Sequence, residues 1–231
     1  MISKDSCNLI CVVDIDGTIA RGHLFHHLAY YNNQLNLKLT TDYISNASKL
    51  YSSTLKVPEI KKLADSKLKG FLEIRNEIHS SDELAFHLTP IPDSTEGTWS
   101  ITKQTIFGGY YTARKCSTSI TRKWLLKHHY PNPEKVVMVT NHRDKLIKII
   151  ENHLVGTTNK CLLIDDHPDD ILVASHNLSK VKKYASYLNN IIIVGYSRLP
   201  DISLAGNSKV CYLENWKTLN LSKLLSEVSR L

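Results

Sequence analysis

Five short apolar runs constrain the fold of this chain more than any other feature. They lie at residues 9–13, 105–111, 135–139, 161–164 and 191–194. Dense apolar runs of this length are typical of strands that are buried on both faces of a parallel sheet. Helical patterns follow the second, third and fourth runs, at residues 119–129, 144–153 and 168–176. Because strands alternate with helices, the sequence predicts an α/β fold with a doubly wound parallel sheet.

Residues 21–88 have a different composition from the rest of the chain. The segment is rich in Leu, Lys, Asn and Ser, and it contains no run typical of a buried strand. Its pattern predicts helices at residues 38–56 and 59–79. A proline-rich turn then marks the return to the first region. We therefore predict a core domain formed by residues 1–20 and 89–231, with a helical insert at residues 21–88.

The charge and the cysteines narrow the classes of function. The net charge is +7, and residues 112–150 contain nine Lys and Arg against two acidic residues. This local positive charge favours anionic ligands, such as phosphate esters or nucleic acids. The five cysteines have no CxxC spacing, which argues against a zinc cluster or a disulfide framework. The apolar runs are too short to span a bilayer and no signal peptide is recognised, so we expect a cytoplasmic protein.

The first apolar run ends in two acidic residues. Asp14 and Asp16 follow it directly, and Gly17 and Thr18 come next. In an open α/β sheet, ligands bind beyond the carboxyl ends of the strands, so both acids lie where a site is expected. Glycine permits a sharp turn at this point. Two neighbouring carboxylates repel each other, and a Mg²⁺ ion would relieve that repulsion because it prefers oxygen ligands.

The segment Asp14-Ile15-Asp16-Gly17-Thr18 matches the DxDGT motif, and the chain therefore resembles the haloacid dehalogenase superfamily. The resemblance implies that Asp14 attacks phosphorus and forms an aspartyl-phosphate. It implies that Asp16 protonates the leaving group and then deprotonates the attacking water. Members without an acid at the second position, such as ion-pumping ATPases and dehalogenases, form or hold other intermediates. Asp16 therefore points to a phosphatase.

The second motif of that superfamily is a strand that ends in Ser or Thr. Thr112, followed by Ala113 and Arg114, ends the second apolar run. A hydroxyl and neighbouring N–H groups at such a position hold phosphoryl oxygens. Thr140, after the third run, is a rival. Thr112 is preferred because its strand follows the insert directly, and because Thr-Arg-Lys-Trp-Leu-Leu at 121–126 resembles a pattern of nucleotidase-like members.

The third motif is a lysine that neutralises the nucleophile and the phosphate. Lys145, at the start of the helix after the third run, is the preferred candidate, with Lys148 and Lys160 as competitors. The residues that the resemblance implies around the phosphate are Gly17, Thr18, Thr112, Ala113, Arg114 and Lys145.

The fourth motif is acidic and follows the fourth run. Asp165 and Asp166 match the family pattern of two acids after a strand. The resemblance implies that one of them completes a magnesium site with Asp14 and the carbonyl of Asp16. The other, or Asp170, would orient the ligands or the lysine. Which of the two binds the metal directly is left open.

The resemblance also implies a five-stranded sheet of order 5-4-1-2-3 and a cap, formed by the insert, that selects the substrate. Residues 164–168 and Glu214-Asn215-Trp216 resemble elements of deoxynucleotidase-like members, which have a small helical cap. We expect a magnesium-dependent phosphomonoester hydrolase that acts on a small phosphorylated metabolite or nucleotide. Two alternatives are a phosphatase of nucleic-acid ends and a catalytically inactive binding module.

Overall fold

The computed structural model describes residues 8–22, 76–206 and 208–224, with the single positions 26, 29, 32, 33, 38, 40, 42 and 58. The helices predicted at 38–56 and 59–79 lie almost wholly outside the described residues, and so does most of the insert. Within the described part, residues 76–80 are helical. The division into a core and a cap at residues 21–88 stays a prediction.

The described residues contain eight strands. In chain order they are β1 (Leu9–Val13), β2 (Ala20–Arg21), β3 (Thr89–Pro90), β4 (Ile106–Thr112), β5 (Val136–Met138), β6 (Lys160–Asp165), β7 (Ile191–Tyr196) and β8 (Lys209–Leu213). Six of them form one parallel sheet in the order β5-β4-β1-β6-β7-β8. The predicted α/β class is confirmed, and the five predicted strands lie side by side in the predicted order.

The predicted number of strands is wrong by one, because β8 adds a sixth strand beside β7. Within the described part of the chain, this edge strand has a strand neighbour on one side only. Its sequence, Lys-Val-Cys-Tyr-Leu, places half-buried residues at three of five positions. It therefore lacks the continuous apolar run that identifies a strand buried on both faces.

Helices cover both faces of the sheet. They are α1 (Asp82–Phe86), α2 (Ser94–Gln104), α3 (Thr118–Lys127), α4 (His142–Ile149), α5 (Pro168–Ser179) and α6 (Lys182–Leu188). A π-helical turn, Ile150–Leu154, extends α4, and a 3-10 turn, Trp216–Thr218, follows β8. The three helices predicted after the apolar runs correspond to α3, α4 and α5. None of the described helices has the length and apolarity needed to cross a membrane.

The central strand β1 divides the core into two layers. Its side chains alternate between the faces, as the strand period requires. Cys11 and Val13 pack with Trp124 in one cluster, whereas Ile10 and Val12 pack with a second cluster around α4 and α5. Since β1 is buried on both sides, its carboxyl end is fixed firmly between β4 and β6.

The two ends of the insert meet in a small antiparallel ladder. Ala20 pairs with Pro90 and Arg21 pairs with Thr89, which joins β2 to β3. The N–H of Ile91 also donates to the carbonyl of Ile19 at 2.8 Å. The chain therefore leaves and rejoins the core at adjacent positions.

Candidate active site

The loop after β1 holds the first predicted acid at the carboxyl edge of the sheet. Asp14 is 6% exposed, and its N–H donates to the carbonyl of Ile164 at 2.9 Å, which extends the pairing with β6. Gly17 has φ of 82°, and a Cβ at this position would collide with the carboxylate of Asp166. Only glycine both adopts this backbone conformation readily and leaves room for that carboxylate.

Lys145 joins the first and fourth motifs. It lies on the first turn of α4, where the side chain of Asn141 caps the helix by accepting the N–H of Asp144. The Nζ of Lys145 donates to Asp14 Oδ1 at 2.7 Å and to Asp165 Oδ2 at 2.5 Å. All three side chains are nearly inaccessible to solvent. A lysine with this burial needs such partners, since an unpaired buried charge is strongly unfavourable.

The charges of this group shift one another's pKa values. Burial alone lowers the pKa of Lys145, but the charges of Asp14 and Asp165 outweigh it and raise that pKa above its ordinary value. Burial raises the pKa of Asp14 well above its ordinary value, against the opposing charge of Lys145. Burial by itself raises the pKa of Asp165, but the charge of Lys145 and the hydrogen bonds from Lys145 and the N–H of His167 outweigh it, so this pKa lies below its ordinary value. Lys145 therefore stays charged, and Asp165 is its ionised partner.

Asp166 completes a cluster of three carboxylates. Oxygen atoms of Asp14, Asp165 and Asp166 lie within 4.8 Å of one another. Burial and the charge of Asp165 raise the pKa of Asp166 to about 7. Crowded carboxylate oxygens of this kind are the ligands that Mg²⁺ prefers, so the residues present fit the predicted metal.

Asp16 is held by an arginine from the second motif. Arg114 Nε lies 2.9 Å from both carboxylate oxygens of Asp16, and Nη2 lies 2.7 Å from Oδ1. The guanidinium carbon lies 5.3 Å from the ring centroid of Trp124. The resemblance implies that Arg114 lies around the phosphate, but the structure directs its hydrogen bonds to the second acid of the first motif.

Thr112 is the last residue of β4 and is buried beside the end of β1. Its Oγ1 accepts the N–H of Arg114 at 3.4 Å. The rival, Thr140, follows the edge strand β5, and both its N–H and its hydroxyl donate to Asp144. Thr112 therefore lies among the acids, whereas Thr140 belongs to the start of α4.

A cavity of about 300 Å³ lies over these groups. The predicted site residues in its wall are Asp14, Asp16, Thr112, Ala113, Arg114 and Lys145. Thr18, which the resemblance places around the phosphate, is not among the residues that line this cavity. Its side chain is fully buried, its hydroxyl donates to Asp166 Oδ1 at 3.4 Å, and it accepts the N–H of Asp166 at 3.1 Å. Thr18 therefore holds the fourth motif against the first.

Five further residues line the cavity that the sequence did not single out as site residues: Asn76, His79, Lys115, His142 and His167. Lys115 Nζ donates to Asn76 Oδ1 at 2.5 Å, which connects the loop after β4 to the end of the insert. Lys115 follows Arg114 directly, and the two histidines His142 and His167 adjoin the third and fourth motifs. Their positions beside motifs were the available signal, whereas nothing in the sequence marks Asn76 or His79.

The fold has relatives among solved structures, although no protein-family model matches the chain and no curated protein matches its sequence. A β-phosphoglucomutase from Pyrococcus sp. strain ST 04 aligns with a TM-score of 0.59 at 14% identity, over 96% of this chain and 100% of that one. A predicted phosphatase from Clostridium acetobutylicum aligns with a TM-score of 0.52 at 13% identity, over 98% of this chain and 100% of that one. A HAD family hydrolase from Deinococcus radiodurans R1, with bound phosphate and sodium, aligns with a TM-score of 0.50 at 12% identity, over 98% of this chain and 99% of that one.

The chain has the fold of the haloacid dehalogenase-like hydrolases.

In this haloacid dehalogenase-like fold, β1, β4 and β6 are neighbours, and their carboxyl ends carry the first, second and fourth motifs. The third motif reaches the same point from α4. The two competitors of Lys145 lie elsewhere: Lys148 pairs with Glu151 at 3.6 Å, and Lys160 is an exposed residue that begins β6 at the opposite edge. Topology alone therefore brings four separate segments to one place.

Proposed function

We propose that this protein is a magnesium-dependent phosphomonoester hydrolase that acts through an aspartyl-phosphate on Asp14. The observation that carries the proposal is the position of Asp14, in the wall of the cavity, bonded to Lys145 and grouped with two further carboxylates. The charge of the buried Lys145 favours the ionised form of Asp14 and attracts a phosphate dianion, and the cluster of carboxylates offers oxygen ligands to a cation that would offset its negative charge. The Deinococcus neighbour was solved with bound phosphate, which agrees with this chemistry.

In the first step, Asp14 attacks the phosphorus of the ester, and the bond between phosphorus and the leaving oxygen breaks. Asp16 enters this step as the neutral acid and donates its proton to that oxygen, which leaves as an alcohol, so that Asp16 becomes a carboxylate. In the second step, Asp16 takes a proton from water as the water attacks phosphorus. The bond to Asp14 breaks, inorganic phosphate is released, and both carboxyl groups return to their initial states.

Lys145 and Thr112 provide the fixed donors of the site. Lys145 offers an ammonium group beside the attacking carboxylate, and Thr112 offers a hydroxyl beside the N–H of Ala113. Donors that are already in place stabilise developing charge without reorganisation during the reaction. A bound Mg²⁺ would neutralise charge on the phosphoryl oxygens and keep Asp14 ionised.

We assign the metal ligands to the carboxylates of Asp14 and Asp166, with the carbonyl of Asp16. Asp165 is the weaker candidate, because Lys145 donates to its Oδ2 and the N–H of His167 donates to its Oδ1 at 2.8 Å. Asp166 is 22% exposed at its side chain and has longer contacts of 3.4 Å to Thr18 and His167. Asp165 would then orient Lys145.

The substrate that this proposal favours is a small phosphorylated metabolite or nucleotide. A cavity of about 300 Å³ in the described residues is at the small end of the range for ligand pockets. The basic segment 112–150 supports a second candidate, a phosphatase of nucleic-acid ends. Part of that charge is used inside the site, since Arg114 and Lys145 are both buried.

Phosphate release should be measured for phenyl phosphate, nucleoside monophosphates, sugar phosphates, and oligonucleotides phosphorylated at the 5′ or 3′ end. We expect turnover of at least one class in Mg²⁺ and none in excess chelator. Full activity in chelator would contradict the metal assignment, and no release from any ester would contradict the whole proposal. A steep fall of affinity with salt, seen only for oligonucleotides, would favour the second candidate.

A further inference from the structure

Arg114 is a buried arginine whose side chain donates its hydrogen bonds to one carboxylate, that of Asp16. Its side chain is 1% exposed, whereas that of Asp16 is 29% exposed and lies in the cavity wall. Two of its nitrogen atoms bond to Asp16, one of them to both oxygens. This fork geometry fixes the orientation of a carboxylate in a way that a single donor does not.

The guanidinium group is itself fixed from behind. It lies against the ring of Trp124, whose Nε1–H donates to the carbonyl of Leu88 at 2.8 Å. Trp124 also stacks on Tyr130, with ring centroids 5.3 Å apart. Arg114 is therefore a rigid support, and any group bonded to it takes its position from the core of the protein.

Stability alone does not account for this arrangement. Among the described residues, Arg114 Nη1 is buried and has no hydrogen-bond partner. A buried guanidinium with an unmatched donor is unfavourable. An apolar residue in place of Arg114, packed against the ring of Trp124, would stabilise the fold at least as well. The two nitrogen atoms engaged by Asp16 are also not available as a bidentate clamp for phosphate.

We propose that Arg114 is a positioning residue, which holds Asp16 in the orientation that serves the leaving group. The inference rests on the proposed function, in which Asp16 donates the proton to the leaving oxygen. Without Arg114, the carboxylate at the cavity wall would lose the fork that sets its orientation, and fewer encounters would have the geometry for proton transfer. Lys145, Thr112 and the metal ligands would keep their places.

The role of Arg114 should therefore depend on the leaving group. Phenoxide is a poor leaving group and needs the proton from Asp16 as the bond to phosphorus breaks. The 2,4-dinitrophenoxide ion leaves without protonation. The ratio kcat/KM reports the steps up to the formation of the aspartyl-phosphate, so it isolates proton donation from the later attack of water.

The experiment compares phenyl phosphate with 2,4-dinitrophenyl phosphate in Mg²⁺, for Arg114→Met and Arg114→Lys. For Arg114→Met we expect kcat/KM on phenyl phosphate to fall about 100-fold, and that on 2,4-dinitrophenyl phosphate to fall by no more than about threefold. Arg114→Lys should recover part of the loss on phenyl phosphate, because one donor remains. Arg122→Met is the matched control, because Arg122 is exposed on α3 and donates to the carbonyl of Glu134.

A double variant tests whether Arg114 acts through Asp16. Asp16→Asn and Asp16→Asn/Arg114→Met should have the same kcat/KM on phenyl phosphate, within about twofold, because the second change removes a support that no longer has a function. A further fall in the double variant would overturn the inference.

Equal losses on both esters would overturn the inference and assign Arg114 to phosphate binding or to the fold. Unfolding of both single variants, seen by circular dichroism, would also overturn it and make Arg114 a structural residue. Failure of the wild-type protein on both esters and on every substrate class would instead remove the proposed function. The two failures are therefore distinguishable.

Discussion

The carboxyl edge of the sheet has a charged half and an aromatic half. At the ends of β4, β1 and β6, the buried residues include Asp14, Arg114, Lys145 and Asp165, each less than a tenth exposed. Beyond them, Tyr196 ends β7 and stacks on Trp216, with ring centroids 5.6 Å apart. The same edge of one sheet is thus built from two kinds of interaction.

The difference shows what each half contributes. Buried ion pairs add little to stability and are strongly unfavourable when one partner is missing, so the charged half contributes little to the free energy of unfolding and is the half on which the proposed chemistry depends. Stacked aromatic rings bury a large apolar area and stabilise the fold. The halves meet where Trp216 Nε1 donates to the carbonyl of Thr18 at 2.7 Å. Changes in the charged half should therefore mainly alter activity, and changes in the aromatic half should mainly alter stability.

Asp14→Asn should have the largest effect on activity. We expect kcat to fall by a factor of about 1,000 or more, because the nucleophile is lost. The free energy of unfolding should change by no more than about 1 kcal/mol, since Lys145 keeps Asp165 and the crowding of carboxylates is relieved. Initial rates and urea unfolding measure the two quantities, with the exposed Asp201→Asn as the control. A rate within tenfold of the wild type would contradict the covalent mechanism.

Gly17→Ala should damage both activity and stability. The positive φ disfavours any residue with a Cβ by about 1–2 kcal/mol. The added methyl group would also displace the carboxylate of Asp166 from its position in the cluster, and kcat/KM should fall by about 10- to 100-fold.

Gly156→Ala separates these two effects. Gly156 has φ of 72°, but a Cβ there would meet no atom within 4 Å. This variant should lose stability and keep its activity. Equal activity in the two variants would show that the approach of Asp166 to the loop is unimportant.

Magnesium should stabilise the protein more at pH 8 than at pH 5. The pKa of Asp166 is about 7 in the fold, whereas an unperturbed Asp has a pKa of about 4. Between these values the folded chain holds a proton that the unfolded chain lacks, so this residue makes the metal-free protein less stable as pH rises. Mg²⁺ relieves that repulsion where Asp166 is ionised. Melting temperatures with and without Mg²⁺ at both pH values measure the effect.

Asp166→Asn should reduce the pH dependence of this stabilisation, leaving the part that comes from the raised pKa of Asp14, and it should raise the magnesium requirement of turnover more than Asp165→Asn does. The wild-type protein and Asp201→Asn should retain the dependence. An equal rise in melting temperature at both pH values would contradict the assignment of Asp166 as a ligand.

Trp216→Phe should have the smallest effect on turnover of these variants. It keeps an aromatic ring over Tyr196 but leaves the carbonyl of Thr18 without its donor, for a loss of about 1 kcal/mol in the free energy of unfolding. Turnover should change by less than about twofold, well below the effect of any change in the charged half. A large loss of turnover, measured on the folded variant, would show that the aromatic half takes part in setting the active site.

The sequence predicted those parts of the molecule that depend on local patterns. Continuous apolar runs identified five strands, and the residues at their ends identified Asp14, Asp16 and Asp165 as neighbours in a shared site. The partners of individual side chains could not be predicted in this way. Arg114 reaches Asp16 across 98 positions of the chain, and Thr18 reaches Asp166 across 148. Both are polar residues beside a motif, and only the tertiary structure determines which oxygen each one meets.

The ladder between β2 and β3 has a consequence for the evolution of this chain. Paired residues of an antiparallel ladder lie about 5 Å apart, so the 68 positions between Ala20 and Thr89 begin and end at almost the same point. A segment of any length closes there without stretching β1 or β4. The core would accept a longer, shorter or unrelated segment through the same two backbone positions. Exchange of the segment at this junction would therefore leave the strands around Asp14 intact.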